Sequence, residues 1–141
     1  MQEQFDIVII TFNKEIPMLE LQAKSIAKFV DLNIGKILII YNGTDAELLY
    51  VNLDWFGKYK DRVTIARRND LYDAPAHLTG YWLESKGYLI QQILKIKSYR
   101  LCVSPYIIIL DAKNWFINTV TQDMILSIDK KLLYQSVGVA D

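Results

Sequence analysis

The chain has 141 residues, of which 52% are hydrophobic and 12% aromatic, and its 16 basic side chains balance 16 acidic ones. This composition excludes a disordered chain, and the balanced charge argues against a nucleic-acid backbone as the main ligand. The length predicts one domain over residues 1–141, with a hydrophobic core that is stable without disulfides or a structural metal. One cysteine and one histidine cannot form an intramolecular disulfide or a four-ligand zinc site.

Targeting signals are the next feature of the sequence. No apolar run approaches the roughly 20 residues that cross a bilayer, and the first residues lack the basic start and apolar stretch of a signal peptide. Together with the single cysteine, this leads us to expect a soluble protein of the cytoplasm that has no membrane span.

Four apolar, β-branched runs predict strands: the first two are buried, the third has a weaker pattern, and the fourth is typical of a central strand. They cover residues 5–11, 36–41, 62–66 and 106–110. Between the first two, Asn13 is a candidate helix cap, Pro17 suits a first helical turn, and Asn33 with Gly35 would end the helix. The apolar stripe of this helix comprises Ile16, Leu19, Ala23, Ile26 and Val30.

The rest of the chain is less regular. Thr44 is placed to cap a helix over 45–53, and a long loop over 67–83 contains Pro75 and Gly80. A further helix is predicted from Ser85 or Gly87 to Ser98. Its inward side chains would be Leu89, Ile90, Ile93, Leu94 and the stem of Lys97. The pattern beyond Trp115 is ambiguous, and residues 118–141 form a tail of undefined structure.

Strands that alternate with helices predict an α/β fold: a three-layer, Rossmann-like, mostly parallel sheet with helices on both faces. In open sheets of this kind, ligands bind beyond the carboxyl ends of the strands, where the strand order reverses. The residues that follow each strand are therefore the first candidates for a site.

Polar residues follow all four predicted strands. They include Thr11 and Asn13, then Asn42 and Asp45, then Arg67 and Arg68, and finally Asp111, Lys113 and Asn114. A polar turn explains any one strand end, and for Asp111 a turn or cap role remains the alternative. Four convergent ends that carry basic and acidic side chains would instead surround one anionic ligand.

Familiar phosphate-binding motifs are absent from the sequence. It has neither GxGxxG nor GxxxxGK[ST], so side chains would have to meet any phosphate, and the lack of GxSxG weakens a hydrolase interpretation. Gln91, Gln92 and Lys95 share one face of the predicted last helix, which would be either part of the site or an ordinary solvated face. Lone His77 lies in the long loop.

Three segments in order carry a resemblance to a known family: FDIVIITFNKE, then GYLIQQILKI, then SPYIIILDAKNWFI. The chain resembles the DUF6492-type glycosyltransferase-like family, whose members look like nucleotide-sugar transferases of the GT-A fold. In that family a Gly-aromatic-x-x-Gln-Gln-x-x-Lys helix precedes a strand that ends in an Asp-x-Asp-like motif. The match covers about residues 5–118 and is best over 87–117.

The resemblance implies a nucleoside diphosphate sugar at the carboxyl ends of the strands. Thr11 and Asn13 would lie near the nucleotide, and Asp45 near the base or ribose. Lys95 would lie near the diphosphate or the acidic motif, in which Asp111 takes the first position. The implied activity is transfer of a sugar to a hydroxyl acceptor, with the loop over 69–83 as a lid.

Lys113 departs from the metal-binding form of this motif, since the third position is normally a carboxylate that binds Mn²⁺ or Mg²⁺. An ammonium there removes a ligand and repels a cation, so the Asp111 metal site would be weak or absent. Either Lys113 supplies charge to the diphosphate, assisted by Arg67 or Arg68, or it pairs with Asp111 in an inactive binding module. A structural or interaction domain is the third alternative.

The length of the chain bears on the second substrate. The matching segments leave residues 118–141 for acceptor recognition, so we expect help from this tail, from a homodimer or from a partner subunit.

Overall fold

A computed structural model of the chain describes residues 2–43, 48, 50–72 and 87–133. In chain order its strands and α-helices are β1 (Gln4–Thr11), α1 (Ile16–Phe29), β2 (Val30–Asp31), β3 (Asn33–Tyr41), β4 (Val63–Arg67), α2 (Gly87–Lys97), β5 (Tyr106–Asp111) and β6 (Val120–Thr121). The predicted α/β class is confirmed, because four of these strands form one parallel sheet.

The main sheet has the strand order β4-β3-β1-β5. From β1 the chain runs outward through β3 to β4, and then returns to place β5 on the other side of β1. The direction of strand addition therefore reverses between β1 and β5. All four carboxyl ends lie at one edge of the sheet, because every pair is parallel.

The hydrophobic core lies on both faces of this sheet because alternate residues of a strand point to opposite faces. On one face, Ile7 and Ile9 of β1 pack with Leu19 and Ile26 of α1. On the other face, side chains from the strands pack with the buried Ile90 and Leu94 of α2: Val8, Ile10, Leu38 and Ile40. The continuous apolar runs noted in the sequence arise from this burial on both faces.

The predicted end of the first helix is wrong. Helix α1 ends at Phe29, and Val30 begins the extended β2, which pairs in parallel with β6 in the tail. Gly35, expected to stop the helix, lies inside β3, near an irregularity in its pairing with β1. A Cβ atom at Gly35 would come within 2.8 Å of Asp6 Oδ1, so crowding between strands explains the glycine.

The start of α1 also differs in detail from the prediction. Residues Asn13–Glu15 form a 3₁₀ turn, and Glu15, not Asn13, occupies the N-cap position without a side-chain capping bond. Pro17 does lie in the first helical turn. All five residues of the predicted apolar stripe are buried, Val30 included, although Val30 lies beyond the helix.

The 3₁₀ segment Leu53–Arg62 was not predicted from the sequence. Asn52 caps it by accepting a hydrogen bond from the Asp54 amide at 3.0 Å, and Gly57 interrupts it with a φ of 52°. Buried Tyr59 donates its hydroxyl to the Val30 carbonyl at 2.6 Å, which ties this segment to the end of α1. Of the helix predicted over 45–53, residues 45–47 and 49 lie outside the described residues. The others form no α-helix: Leu48 and Tyr50 are in 3₁₀ conformation, Val51 and Asn52 are not helical, and Leu53 begins the 3₁₀ segment.

Helix α2 follows the prediction closely, and a 3₁₀ turn, Ser98–Leu101, extends it. Leu89 is an exception: it was expected to face inward but is 49% exposed. No helix in the described ranges is both long and apolar enough to cross a membrane.

Buried Asp6 holds the segment that leads into β5. Its carboxylate accepts hydrogen bonds from the backbone amides of Val103 (2.6 Å) and Ser104 (3.1 Å) and from the Ser104 hydroxyl (2.6 Å). Burial, with a contribution from Asp6, raises the pKa of the nearby Cys102 thiol to about 11. Cys102 is therefore a protonated packing residue at neutral pH.

Candidate functional site

The reversal of strand order between β1 and β5 singles out one place on the carboxyl edge. β1 ends at Thr11 and β5 at Asp111, and Ile10 is paired with Asp111 across the two strands. In open parallel sheets the crevice at such a reversal is where ligands bind. Most of the side chains selected from the sequence follow strands that end at this edge.

A tight turn follows β5 and displays three of the predicted site residues. The backbone amide of Asn114 donates to the Asp111 carbonyl at 2.9 Å, which closes the turn over residues 111–114. Ala112 is buried, whereas Asp111, Lys113 and Asn114 are exposed. The turn therefore presents one carboxylate, one ammonium and one amide to solvent.

Lys95 contacts Asp111 from α2. Its Nζ lies 2.5 Å from Asp111 Oδ1, and the two side chains are 20% and 51% exposed. The proximity of Lys95 to the acidic motif, which the family resemblance implied, is thus present in the fold. One hypothesis from the sequence paired Lys113 with Asp111. Within the described residues, Asp111 forms its ion pair with Lys95 instead.

Glu15, a buried carboxyl beside this turn, is not among the site residues predicted from the sequence. It is only 7% exposed, and its Oε2 atom has no hydrogen-bond partner within the described ranges. Burial raises the pKa of Glu15; the charge of Lys113 opposes this shift and that of Asp111 adds to it. An acidic residue in the turn between β1 and α1 was the available signal, since that turn also lies at the carboxyl edge.

Gln22 of α1 is a second overlooked residue. Its amide nitrogen donates to the backbone carbonyls of Asp111 (2.8 Å) and Asn114 (2.6 Å), and the side chain is fully buried. Little in the sequence distinguishes Gln22, because one glutamine in an amphipathic helix usually faces solvent.

The end of the carboxyl edge that lies away from β5 is formed by β3, β4 and the turn after β4. Arg68 Nη1 donates to Asn42 Oδ1 at 3.3 Å, and the buried Nε of Arg68 has no partner in the part of the chain described. The backbone amide of Asn42 donates to the Thr11 carbonyl at 2.8 Å. The buried Thr11 Oγ1 also has no partner within the described residues. Arg68, Asn42 and Thr11 are thus linked in a chain that leads toward β1.

The remaining predicted site residues are less closely involved. Arg67 ends β4 with an exposed side chain, and its backbone amide donates to Asp70 at 2.8 Å. Gln92 is partly buried on α2, and Asn13 begins the 3₁₀ turn after β1. Asp45, His77 and most of the predicted lid lie outside the described residues.

The described side chains at the edge do not fit a tightly held divalent metal. Such sites use several carboxylate oxygens, whereas Asp111 is paired with Lys95 and is followed two positions later by Lys113. Over the ranges the structure describes, no three His, Cys, Asp or Glu side chains are grouped to hold a metal ion. The positive charge near Asp111 therefore comes from lysines.

Comparison with known proteins adds no relative: no protein-family model matches the chain, and neither does any curated protein sequence.

Proposed function

We propose that this domain binds a nucleoside diphosphate sugar along the carboxyl edge of its sheet and transfers the sugar to a hydroxyl acceptor. The observation that carries the proposal is the placement of cationic side chains on both sides of the strand-order reversal. Lys95 and Lys113 lie at the β5 end, and Arg68 lies beyond β4. In this proposal the sheet and its helices form a three-layer, Rossmann-like unit of GT-A type.

The shape of the edge favours an elongated anion. β5 and β4 are three strand spacings apart, about 14 Å. A single phosphate cannot reach both ends, whereas an extended nucleoside diphosphate can. Lys95 and Lys113 would then neutralise the diphosphate, and Arg68 with Asn42 would contact the nucleoside.

The proposed chemistry follows from this placement. The bond between the anomeric carbon and the phosphate oxygen breaks, a bond from that carbon to the acceptor oxygen forms, and the hydroxyl proton passes to solvent water. Negative charge then develops on the leaving diphosphate, and preorganised ammonium groups stabilise such charge. Lys113 is the main candidate, because Lys95 already shares its charge with Asp111.

The ion pair between Lys95 and Asp111 also favours a second candidate, nucleotide-sugar binding without turnover. The one carboxylate retained from the acidic motif is neutralised before any ligand arrives. Such a module would hold the sugar nucleotide and leave the chemistry to another protein.

A panel of UDP- and GDP-sugars, incubated with the protein with and without Mn²⁺, separates these candidates. A transferase releases the nucleoside diphosphate from one donor, and that donor also raises the melting temperature. A binding module shows only the thermal shift. If no member of the panel causes a shift or release, both candidates are wrong and a structural or interaction domain is the remaining interpretation.

A further inference from the structure

The buried face of α1 carries a side-chain amide where an apolar side chain would be expected. Gln22 is fully buried and lies on the same helix as Leu19 and Ile26, which are core residues. Burial of an amide is unfavourable unless hydrogen bonds replace those it makes to water. Because its Oε1 atom has no partner within the described residues, the two hydrogen bonds that Nε2 donates must explain this buried amide.

The partners of Nε2 are the two ends of the turn after β5. Gln22 Nε2 donates one hydrogen bond to the Asp111 carbonyl at 2.8 Å and a second to the Asn114 carbonyl at 2.6 Å. The amide thus uses both of its protons on the turn that carries Asp111 and Lys113. A leucine would leave two carbonyls without this donor, and a glutamate would place a carboxylate against them.

Ser25, one helical turn further on, makes a second attachment. Its hydroxyl donates to the Gln22 carbonyl at 2.7 Å and accepts from the Phe116 amide at 3.1 Å. Residues 111–116 are therefore fixed to α1 at both ends. With the turn carbonyls bound to α1, the side chains of Asp111 and Lys113 remain exposed at the edge of the sheet.

We infer that Gln22, supported by Ser25, is a positioning residue that holds the turn over residues 111–114 in the geometry that binds the diphosphate. This inference rests on the proposed function, because it assigns the diphosphate to that turn. Gln22 acts through the turn backbone and touches no ligand. Displacing charged side chains by about 1 Å in such a site can cost about a hundredfold.

The test compares Gln22→Leu with Ile26→Val, a matched control that lies one turn away on α1 and loses one methyl group from the core. Affinity for UDP-glucose and GDP-mannose is measured at a temperature well below the melting point of every variant. We expect Gln22→Leu to bind the better of these probes at least tenfold more weakly than wild type. Ile26→Val should lower the melting temperature and leave the affinity unchanged.

A measurement without ligand separates this inference from the proposed function. In ¹H–¹⁵N spectra, Gln22→Leu should shift or broaden the amide signals of residues 112–116, and Ile26→Val should not. If wild type binds neither probe, the assignment of these nucleotides is wrong, and the amide signals still decide whether Gln22 orders the turn. Unchanged signals, or unchanged affinity in a variant whose signals have moved, would overturn the inference. Should Gln22→Leu fail to fold, Ser25→Ala is the second variant, and it should show the same changes to a smaller extent.

Discussion

At the scale of single residues, the chemistry of the candidate site depends on four ionisable groups around one turn: Asp111, Lys113, Lys95 and Glu15. Asp111 and Lys113 could be selected from the sequence, because they directly follow a buried strand. For Glu15 the only signal was its position in the turn between β1 and α1, because burial of one acidic residue between a strand and a helix is not a local property of sequence. The same holds for Gln22, whose partners lie about 90 residues away along the chain.

Glu15 gives a prediction about pH and stability. Its pKa is raised above the ordinary value of 4.5, so above pH 4.5 the folded chain keeps a proton that the unfolded chain has lost. The stability contributed by this proton is complete below pH 4.5 and is lost as pH rises through the raised pKa. Glu15→Gln is neutral at every pH, and its stability relative to wild type should therefore increase from pH 4.5 toward neutrality.

Urea unfolding of both proteins at several pH values between 4 and 8 measures this difference. Glu20→Gln is the control on the same helix. It removes an exposed ion pair with Lys24 and should have a small effect of opposite sign. A difference between Glu15→Gln and wild type that is constant over this range would contradict the account of Glu15.

At the scale of elements, the strands were the most predictable part of the fold. The apolar, β-branched runs of β1 and β3 reflect burial on both faces of a parallel sheet. The expectation that residues 106–110 form a central strand is wrong, because β5 is an outer strand of the sheet and Ile109 is 45% exposed. The end of α1 was predicted less well. Gly35 reads locally as a helix terminator, but its position is set by Asp6 and Ser104, which approach it from β1 and from the segment before β5. A tertiary contact of this kind has no local signature.

Gly35→Ala tests this interpretation of β3. The added Cβ would lie 2.8 Å from Asp6 Oδ1 and 2.9 Å from Gln4 Cδ, closer than such atoms normally approach. We expect a loss of about 1–3 kcal/mol in the free energy of unfolding, the usual cost of overpacking. Chemical denaturation measures it.

Ser104→Ala provides the matched comparison, because it removes the hydroxyl that also crowds Gly35. The double variant should lose less stability than the sum of the two single variants. Strict additivity, or a neutral Gly35→Ala, would show that crowding at this point of the sheet does not explain the glycine.

At the scale of the whole molecule, zero net charge conceals a local arrangement. The 16 basic and 16 acidic side chains cancel over the chain, and yet Lys95, Lys113 and Arg68 come to one edge of the sheet from three separate elements. The sequence predicts the edge, because the carboxyl ends of parallel strands meet there. The sequence does not predict which of these charges remain available to a ligand, since that depends on the ion pair between Lys95 and Asp111.

Titration of the wild type, Lys113→Ala and Lys58→Ala with UDP-glucose and GDP-mannose at two salt concentrations tests the central claim most directly. Lys58 is a control in the 3₁₀ segment that leads into the amino end of β4, away from the carboxyl edge. We predict that Lys113→Ala binds the preferred nucleotide sugar about tenfold more weakly, or about 1.4 kcal/mol, and that its affinity depends less on salt. Lys58→Ala should match wild type. Equal affinities for all three proteins at both salt concentrations, or no binding of either nucleotide sugar to wild type, would contradict a nucleotide-sugar site at the carboxyl edge.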